Sequence, residues 1–379
     1  MRLPRRRWAL GGTLDRYVGR LFASAYVVAL LLVVGLYLVV DLASNLDDYL
    51  RPTASGASPL PRVLRYYALH VPFLYLSVAP FVTLMAGLFT VARLQRSREV
   101  VAALSGGVSA RRLLLPLFVG AGLIAVGMAG TREVVARSIG FERDALRYQL
   151  EEQSDAVVLE PVRLKDVEGE MIQLSTVVPG DELRPGAGGA TRFESLDAIR
   201  LIDGVWYHFV AERGTWVGDA DTGYWDVEGG WLDEVGQRGT SRQPLESLSG
   251  QLDFTPRDVV SAWKSRENAL ELSLAEARDL SRRDPDNVQY RTLMNYLVTF
   301  PLANLVLLLV GLPFLMQFER GRGTEGLVAG FLLCVFYFAA DFVSLNLGMQ
   351  GQIDPLLASW LPPLFFGSLG LVLFASIRT

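Results

Sequence analysis

Several kinds of chemistry are missing from this 379-residue chain, and each absence removes a class of function. A single cysteine, Cys334, excludes an intrachain disulfide and leaves the redox compartment open. Only two histidines occur, His70 and His208, and neither has a partner at metal-ligand spacing. Both therefore read as packed or surface histidines, and no metal site is expected. A serine hydrolase is disfavoured because no G-x-S-x-G stretch is present and histidine is so scarce. The glycines of GRGTEG (321–326) lack the lysine and the strand–helix setting of a phosphate loop. The chain thus shows no nucleotide site of its own, and any ATP it depends on is bound by another protein. No repeat of short fixed period appears, and no nucleic acid is expected among the partners.

What is present is apolar length. Half of the chain (51%) is hydrophobic, and the apolar residues gather into runs near the roughly 20 residues that a membrane helix needs. Three runs fall at about 21–41, 67–92 and 113–130, and three more at about 292–317, 326–347 and 356–376. The first run follows six arginines in MRLPRRRWALGGTLDRYVGR and ends in DLASNLDDYL. A cleaved signal peptide has a shorter apolar core and a small-residue cleavage site, so this run reads as a retained span. Arginines also crowd the segment after the second run (Arg93, Arg96, Arg98, Arg111, Arg112) and the one after the fourth (Arg320, Arg322). The opposite loop carries Asp41, Asp47 and Asp48 against Arg51. The positive-inside rule then predicts that both termini are cytoplasmic.

Between the third and fourth runs lie about 160 residues of different character, a domain-sized insertion. AVVLEPVRL, EMIQLSTVV, DAIRLIDGVWYHFVAERGTWV and YWDVEGGWL alternate apolar and polar residues, separated by the turn signals VEGE, IDG, DADTG and EGG. This pattern predicts short antiparallel strands in a sandwich or jelly roll. Residues 182–192 read as a mobile loop. After Pro256 the pattern turns helical, with Ser273 as an N-cap. The expected architecture is a helical membrane protein of six spans (3 + 3) around an inserted periplasmic jelly-roll-like β domain. Its divisions are 1–130, 131–290 and 291–379.

Three places carry candidate chemistry. Asp341 lies within the fifth run, where an ionisable residue is costly; it marks a gating or coupling role, or a structural hydrogen bond between helices. Arg143 and Arg147 are one helical turn apart and suit a phosphate-bearing ligand, or else an intrahelical charge network with Glu142, Asp144 and Glu151. The aromatic residues of the insertion (Trp206, Tyr207, Phe209, Trp216, Tyr224, Trp225, Trp231) fill a core or line an acyl-chain groove. SREVVAALSGGVSARR (97–112) predicts a short helix capped by Ser97, ended by Gly106 and Gly107, with Ser109 capping the next span. Glu99 in its first turn would meet a cationic protein pocket better than anionic lipid.

The stretches TLDRYVGRLF and RSREVVAALSGGVSARRLL, with the 3 + β + 3 layout, resemble the LptF/LptG permeases that export lipopolysaccharide from the inner membrane. The last spans, GLVAGFLLCVFYFAADFVSLNLG and SWLPPLFF, look more like the LptG branch. The resemblance implies an ABC transporter in which this subunit and an LptF-like paralogue flank an LptB-like ATPase dimer. ATP and Mg²⁺ would be bound by that ATPase and no cofactor by this chain. The helix near Ser97 would be the coupling helix, with Arg98, Glu99, Val100 and Leu104 at the ATPase and Glu99 docking in its groove. Spans one and five would line lateral gates, one open to the membrane helix of an LptC-like protein. The β domain would pass lipid towards LptC-like and LptA-like periplasmic proteins. Where LptG can carry lysines for lipid phosphates, this chain has Asp41, Asp47 and Asp48, which would need a bridging divalent cation. Arg51, Arg62, Arg65, Arg143 and Arg147 are the basic alternatives. Rival readings are a membrane-anchored assembly scaffold that moves no lipid, and a membrane-embedded lipid enzyme, disfavoured for want of a His, Cys or metal set.

Overall fold

In hydrocarbon every backbone polar group needs an internal partner, so long apolar runs fold as helices. The computed structural model describes residues 12–49, 60–152, 157–165, 170–184, 187–234, 242–267, 269–317 and 323–376. Its helices are α1 (Thr13–Tyr49), α2 (Leu60–Arg96), α3 (Glu99–Ser105), α4 (Ala110–Ser138) and α5 (Gly140–Glu152) before the sheet. After it come α6 (Pro256–Glu267), α7 (Leu274–Arg283), α8 (Val288–Thr299), α9 (Ala303–Gln317), α10 (Gly323–Met349) and α11 (Pro355–Ala375). Among the described residues six helical stretches are long and apolar enough to cross a membrane. Helix α1 does not stop where its apolar run does. It continues through the acidic stretch to Tyr49, since no glycine or proline intervenes before Pro52. At 37 residues it is about 55 Å long, well beyond the roughly 30 Å of hydrocarbon.

The chain divides into two compact units. The first comprises 1–41, 74–131 and 295–379. Its core is leucine-rich, and α2 and α9 approach closely at two reciprocal positions. A Cβ on Gly87 would stand 2.3 Å from Leu308, and one on Gly311 would stand 2.5 Å from Leu84. Each glycine leaves room for a leucine side chain of the facing helix, as small residues do where membrane helices pack. The fourth span is broken. Residues Phe300–Leu302 form a 3-10 turn at Pro301, whose missing N–H interrupts the helical ladder. Asn304, fully buried, repairs the break: its Nδ2 donates to Pro301 O at 2.9 Å, and its Oδ1 accepts from Thr83 Oγ1 at 2.6 Å.

The second unit comprises 42–73 and 132–294. Its sheet contains β1 (Val162–Lys165), β2 (Met171–Val178), β3 (Arg192–Ile202), β4 (Val205–Gly218), β5 (Gly223–Glu234) and β6 (Gln243–Ser247). All neighbours are antiparallel and in sequence order. The hairpin between β3 and β4 turns on Asp203 and Gly204, both at positive φ (48° and 82°), the geometry that Asp-Gly favours in a two-residue turn. One sheet face is buried around Trp225, whose ring packs on Phe193, Trp216 and Phe254 and whose Nε1 donates to Phe254 O at 2.9 Å. Ser273 caps α7 reciprocally with Glu276, as its position predicts.

Two expectations are corrected here. The β domain is not a jelly roll among the described residues: it is one open six-stranded meander, without the crossover that Greek-key folds require. The glycines of EGG do not end a strand. Gly229, at φ 64°, makes a bulge, and β5 runs on to Glu234 past a register shift against β6. The described residues of the 182–192 loop are tied across its neck, with Asp181 accepting from the N–H groups of Gly188 and Gly189 and Glu182 from that of Thr191. The VEGE signal falls mostly outside the described residues.

Candidate functional site

The stretch 97–112 forms a seven-residue helix held at both ends by backbone geometry. Ser97 is not its cap. The Ser97 hydroxyl turns back to Arg93 O (3.0 Å) and Leu94 O (3.3 Å) and closes α2 instead. The N-cap is Arg98, in the left-handed region at φ 58° and ψ 17°, with no side-chain hydrogen bond. That conformation costs a non-glycine residue about 1–2 kcal/mol and turns the chain sharply from α2 into α3. At the other end Gly107, at φ 81°, completes a Schellman motif: Val108 N–H donates to Ala103 O and Gly107 N–H to Leu104 O, each at 3.0 Å. Ser109 then accepts from Arg112 N–H at 3.4 Å and starts α4, as expected.

Side chains tether this helix to α1. Tyr17 Oη donates to Glu99 Oε1 at 3.1 Å. Two residues earlier on α1, Asp15 takes a two-pronged bond from Arg112, with Nη1–Oδ1 at 2.6 Å and Nη2–Oδ2 at 2.7 Å. Fork-to-fork pairing of this kind fixes direction as well as distance. Glu99 is half-buried, with one carboxylate oxygen held and the other without a bond among the described residues. Arg98 is exposed. Val100 corrects its assignment to the ATPase face. It is only 6% exposed and belongs to the apolar core of the first unit. The apolar residues that α3 does present are Val101 (47% exposed) and Leu104 (37%). Val101 and Tyr17 escaped the sequence reading. Val101 lies three residues before Leu104, on the same helix face, so spacing from Leu104 can point to it, but no local signal pairs Tyr17 with a residue 82 positions away.

Asp341 lies on α10 and is 6% exposed. Its Oδ2 accepts a 2.8 Å hydrogen bond from Tyr296 Oη on α8. Of the two roles open for an intramembrane carboxyl, the structural bond between helices is therefore made. Ser344, one turn along, donates to Ala358 O of α11 at 2.7 Å. These bonds give α10 a polar stitch to each of two neighbours.

In the second unit the arginine pair separates. Arg143 is 2% exposed, bonded to Asp144 and Glu271, and stacked over the Phe73 ring at 4.2 Å. Its pKa moves up: burial opposes the charge, but Glu271 and Asp144 outweigh it. Arg143 is thus committed to an internal ion cluster and is corrected as a lipid-phosphate ligand, while Arg147 is exposed. The charge network joins Arg143 to Asp144 on its own helix, as the sequence suggested, and also to Glu271, 128 positions away. Lys264 and Glu276 add a second buried pair at 3.5 Å. Asp41 is half-buried, and Arg51 lies outside the described residues. Among the aromatic residues of the insertion, Phe209, Trp216 and Trp225 fill the core, while Trp206 and Tyr224 are exposed. His208 Nε2 sits 3.0 Å from Asp197 Oδ1 and edge-on to Trp231. No group of three metal-ligand side chains occurs among the described residues.

No curated protein matches this chain. A family model does, over residues 16–376, and its description is lipopolysaccharide export system permease LptF/LptG.

Proposed function

This chain belongs to the LptF/LptG family of lipopolysaccharide export permeases, and from that premise we propose that it is an LptG-like subunit driven by a separate ATPase. Family membership and the six spans make it a multi-pass membrane transport subunit rather than an enzyme. In our reading the termini and α3 face the cytoplasm and the sheet lies in the periplasm. An LptB-like ATPase dimer binds ATP and Mg²⁺ and pushes on α3. An LptF-like paralogue completes the cavity, and LptC-like and LptA-like proteins receive the lipid. Spans one and five form the lateral gates, with Asp341 stiffening span five. Asp41 reaches lipid phosphates only through a bridging divalent cation, and Arg147 is the basic residue better placed to meet them.

The observation that carries this reading is the build of α3. A helix of seven residues is too short to be stable alone, yet here its backbone is closed at both ends and its carboxylate is oriented. It displays Val101 and Leu104 as a small apolar face, with the half-buried Glu99 carboxylate in its first turn. Such a face suits a protein groove with a cationic wall, and α1 is bonded directly to it. The energy is needed because each CH₂ drawn out of the bilayer costs about 0.8 kcal/mol until it is covered again. Glu99→Lys places like charges together and is expected to weaken ATPase association by about 2–5 kcal/mol while membrane insertion persists. Co-purification with the ATPase and ATP-driven release of lipopolysaccharide from proteoliposomes measure this. Unchanged association and release would refute the coupling role.

A further inference from the structure

A cavity of about 200 Å³ opens in the second unit between the edge strand β1, helices α6 and α7, and the start of α8. Four cations line it, Arg163, Lys165, Arg266 and Arg283, against two carboxylates, Asp258 and Asp284. Two of the cations are matched: Lys165 Nζ donates to Asp284 Oδ1 at 2.6 Å, and Arg283 Nη2 to Asp258 Oδ2 at 2.7 Å. The other two are not. Arg266 Nη1 reaches only the neutral carbonyl of Pro161, at 2.9 Å. Arg163 is exposed, and its side chain makes no hydrogen bond or ion pair among the described residues. The cavity therefore holds two guanidinium charges more than its own carboxylates cancel. The alternation of β1 turns Arg163 and Lys165 to the same side, so the excess charge is concentrated.

We propose that this cavity binds a phosphate group carried on a sugar or lipid headgroup. Guanidinium forks match the oxygen spacing of phosphate, and in a recess they are less screened than on an open surface. The remaining lining suits a sugar. Asn287 spends its Oδ1 on the N–H groups of Gln289 and Tyr290 to cap α8, which leaves its amide donors free. Asp284 keeps a second oxygen for a hydroxyl, and the exposed Met171 supplies an apolar wall. Tyr290 lies at the start of the stretch Val288–Pro313, apolar enough to be the fourth span, so the cavity is next to that span along the chain. The lipid source rests on the permease reading above; the anion site does not.

Two measurements on the full-length protein test this. The first is calorimetric titration with inorganic phosphate in detergent. The second places a photo-crosslinking amino acid at position 171 in phosphatidylcholine nanodiscs containing lipid A, either phosphorylated or dephosphorylated. Arg163→Glu should leave the melting temperature unchanged, because the Arg163 side chain is exposed and makes no ion pair among the described residues, and Arg213→Gln, at an exposed position of β4, serves as the control. The expected result is cross-linking to phosphorylated lipid A alone, reduced about tenfold by Arg163→Glu and not by the control. Saturable binding of inorganic phosphate that Arg163→Glu abolishes, without lipid cross-linking, assigns the same site to free phosphate. Neither signal, or signals indifferent to Arg163→Glu, overturns the proposal. If Glu99-dependent lipid release is intact in that case, the cavity alone has failed and the permease reading stands.

Discussion

Tyr17 and Glu99 are joined by a hydrogen bond of 3.1 Å across 82 residues of sequence. The bond links the first turns of α1 to the first residue of α3, and the Asp15–Arg112 fork ties the same part of α1 to α4. A force applied to α3 thus has two polar routes into the first span. Neither route requires α3 itself to be long or rigid.

Tyr17→Phe removes one of them and little else, because Tyr17 is largely exposed. At this exposed site water screens the bond, so its loss should cost little stability. The ATPase should still co-purify, while lipid released per ATP hydrolysed falls several-fold. Equal loss of both would mean that Tyr17 shapes the docking face and does not transmit through it.

Val100 and Val101 are adjacent but face opposite ways. Val100→Asp buries an unpaired charge in the core and should sharply lower expression and thermal stability. Val101→Asp should leave the melting temperature within about 0.5 kcal/mol equivalent of the parent, yet abolish ATPase binding. Thermal unfolding in detergent, read beside co-purification, separates them.

At Asp341 the choice of substitution discriminates between mechanisms. Asp341→Asn keeps an oxygen that can accept from Tyr296, so a structural role predicts near-parental transport and stability. Asp341→Leu leaves the Tyr296 hydroxyl without its acceptor and should destabilise by about 1–3 kcal/mol. A transport-dead Asp341→Asn of normal stability would instead demand a charged role.

Arg143→Gln strands Asp144 and Glu271 around a vacated cation and should cost about 3–5 kcal/mol, seen as loss of folded protein. Arg147→Gln, at an exposed position, should cost far less than Arg143→Gln. If either arginine meets lipid phosphates, only the Arg147 variant can show it cleanly, as a selective drop in cross-linking to lipopolysaccharide.

The six spans were legible because membrane helices are written in composition: long runs, few breakers and arginines at one end. The β3–β4 turn was legible for a similar reason, since Asp-Gly suits two consecutive positive φ angles. The bulge at Gly229 was not, because a glycine pair reads alike whether a strand ends or kinks there. The site divided along the same line. Glu99, Leu104 and the glycine stop belong to one short stretch and could be placed by period and capping. Ser97 looked like a cap, but Arg98 took that position when the Ser97 hydroxyl bonded back into α2.

By itself, then, the sequence determined what short-range physics controls: which segments are apolar enough to span, where the chain turns, and which small helix carries the acidic residue. Tertiary structure alone decided the pairings. Tyr17 with Glu99, Tyr296 with Asp341, Thr83 with Asn304 and Arg143 with Glu271 are each separated by at least 45 residues. A buried polar group must find a partner, but nothing local says which one. That choice is made when helices and strands pack and only certain side chains come within about 3 Å of each other.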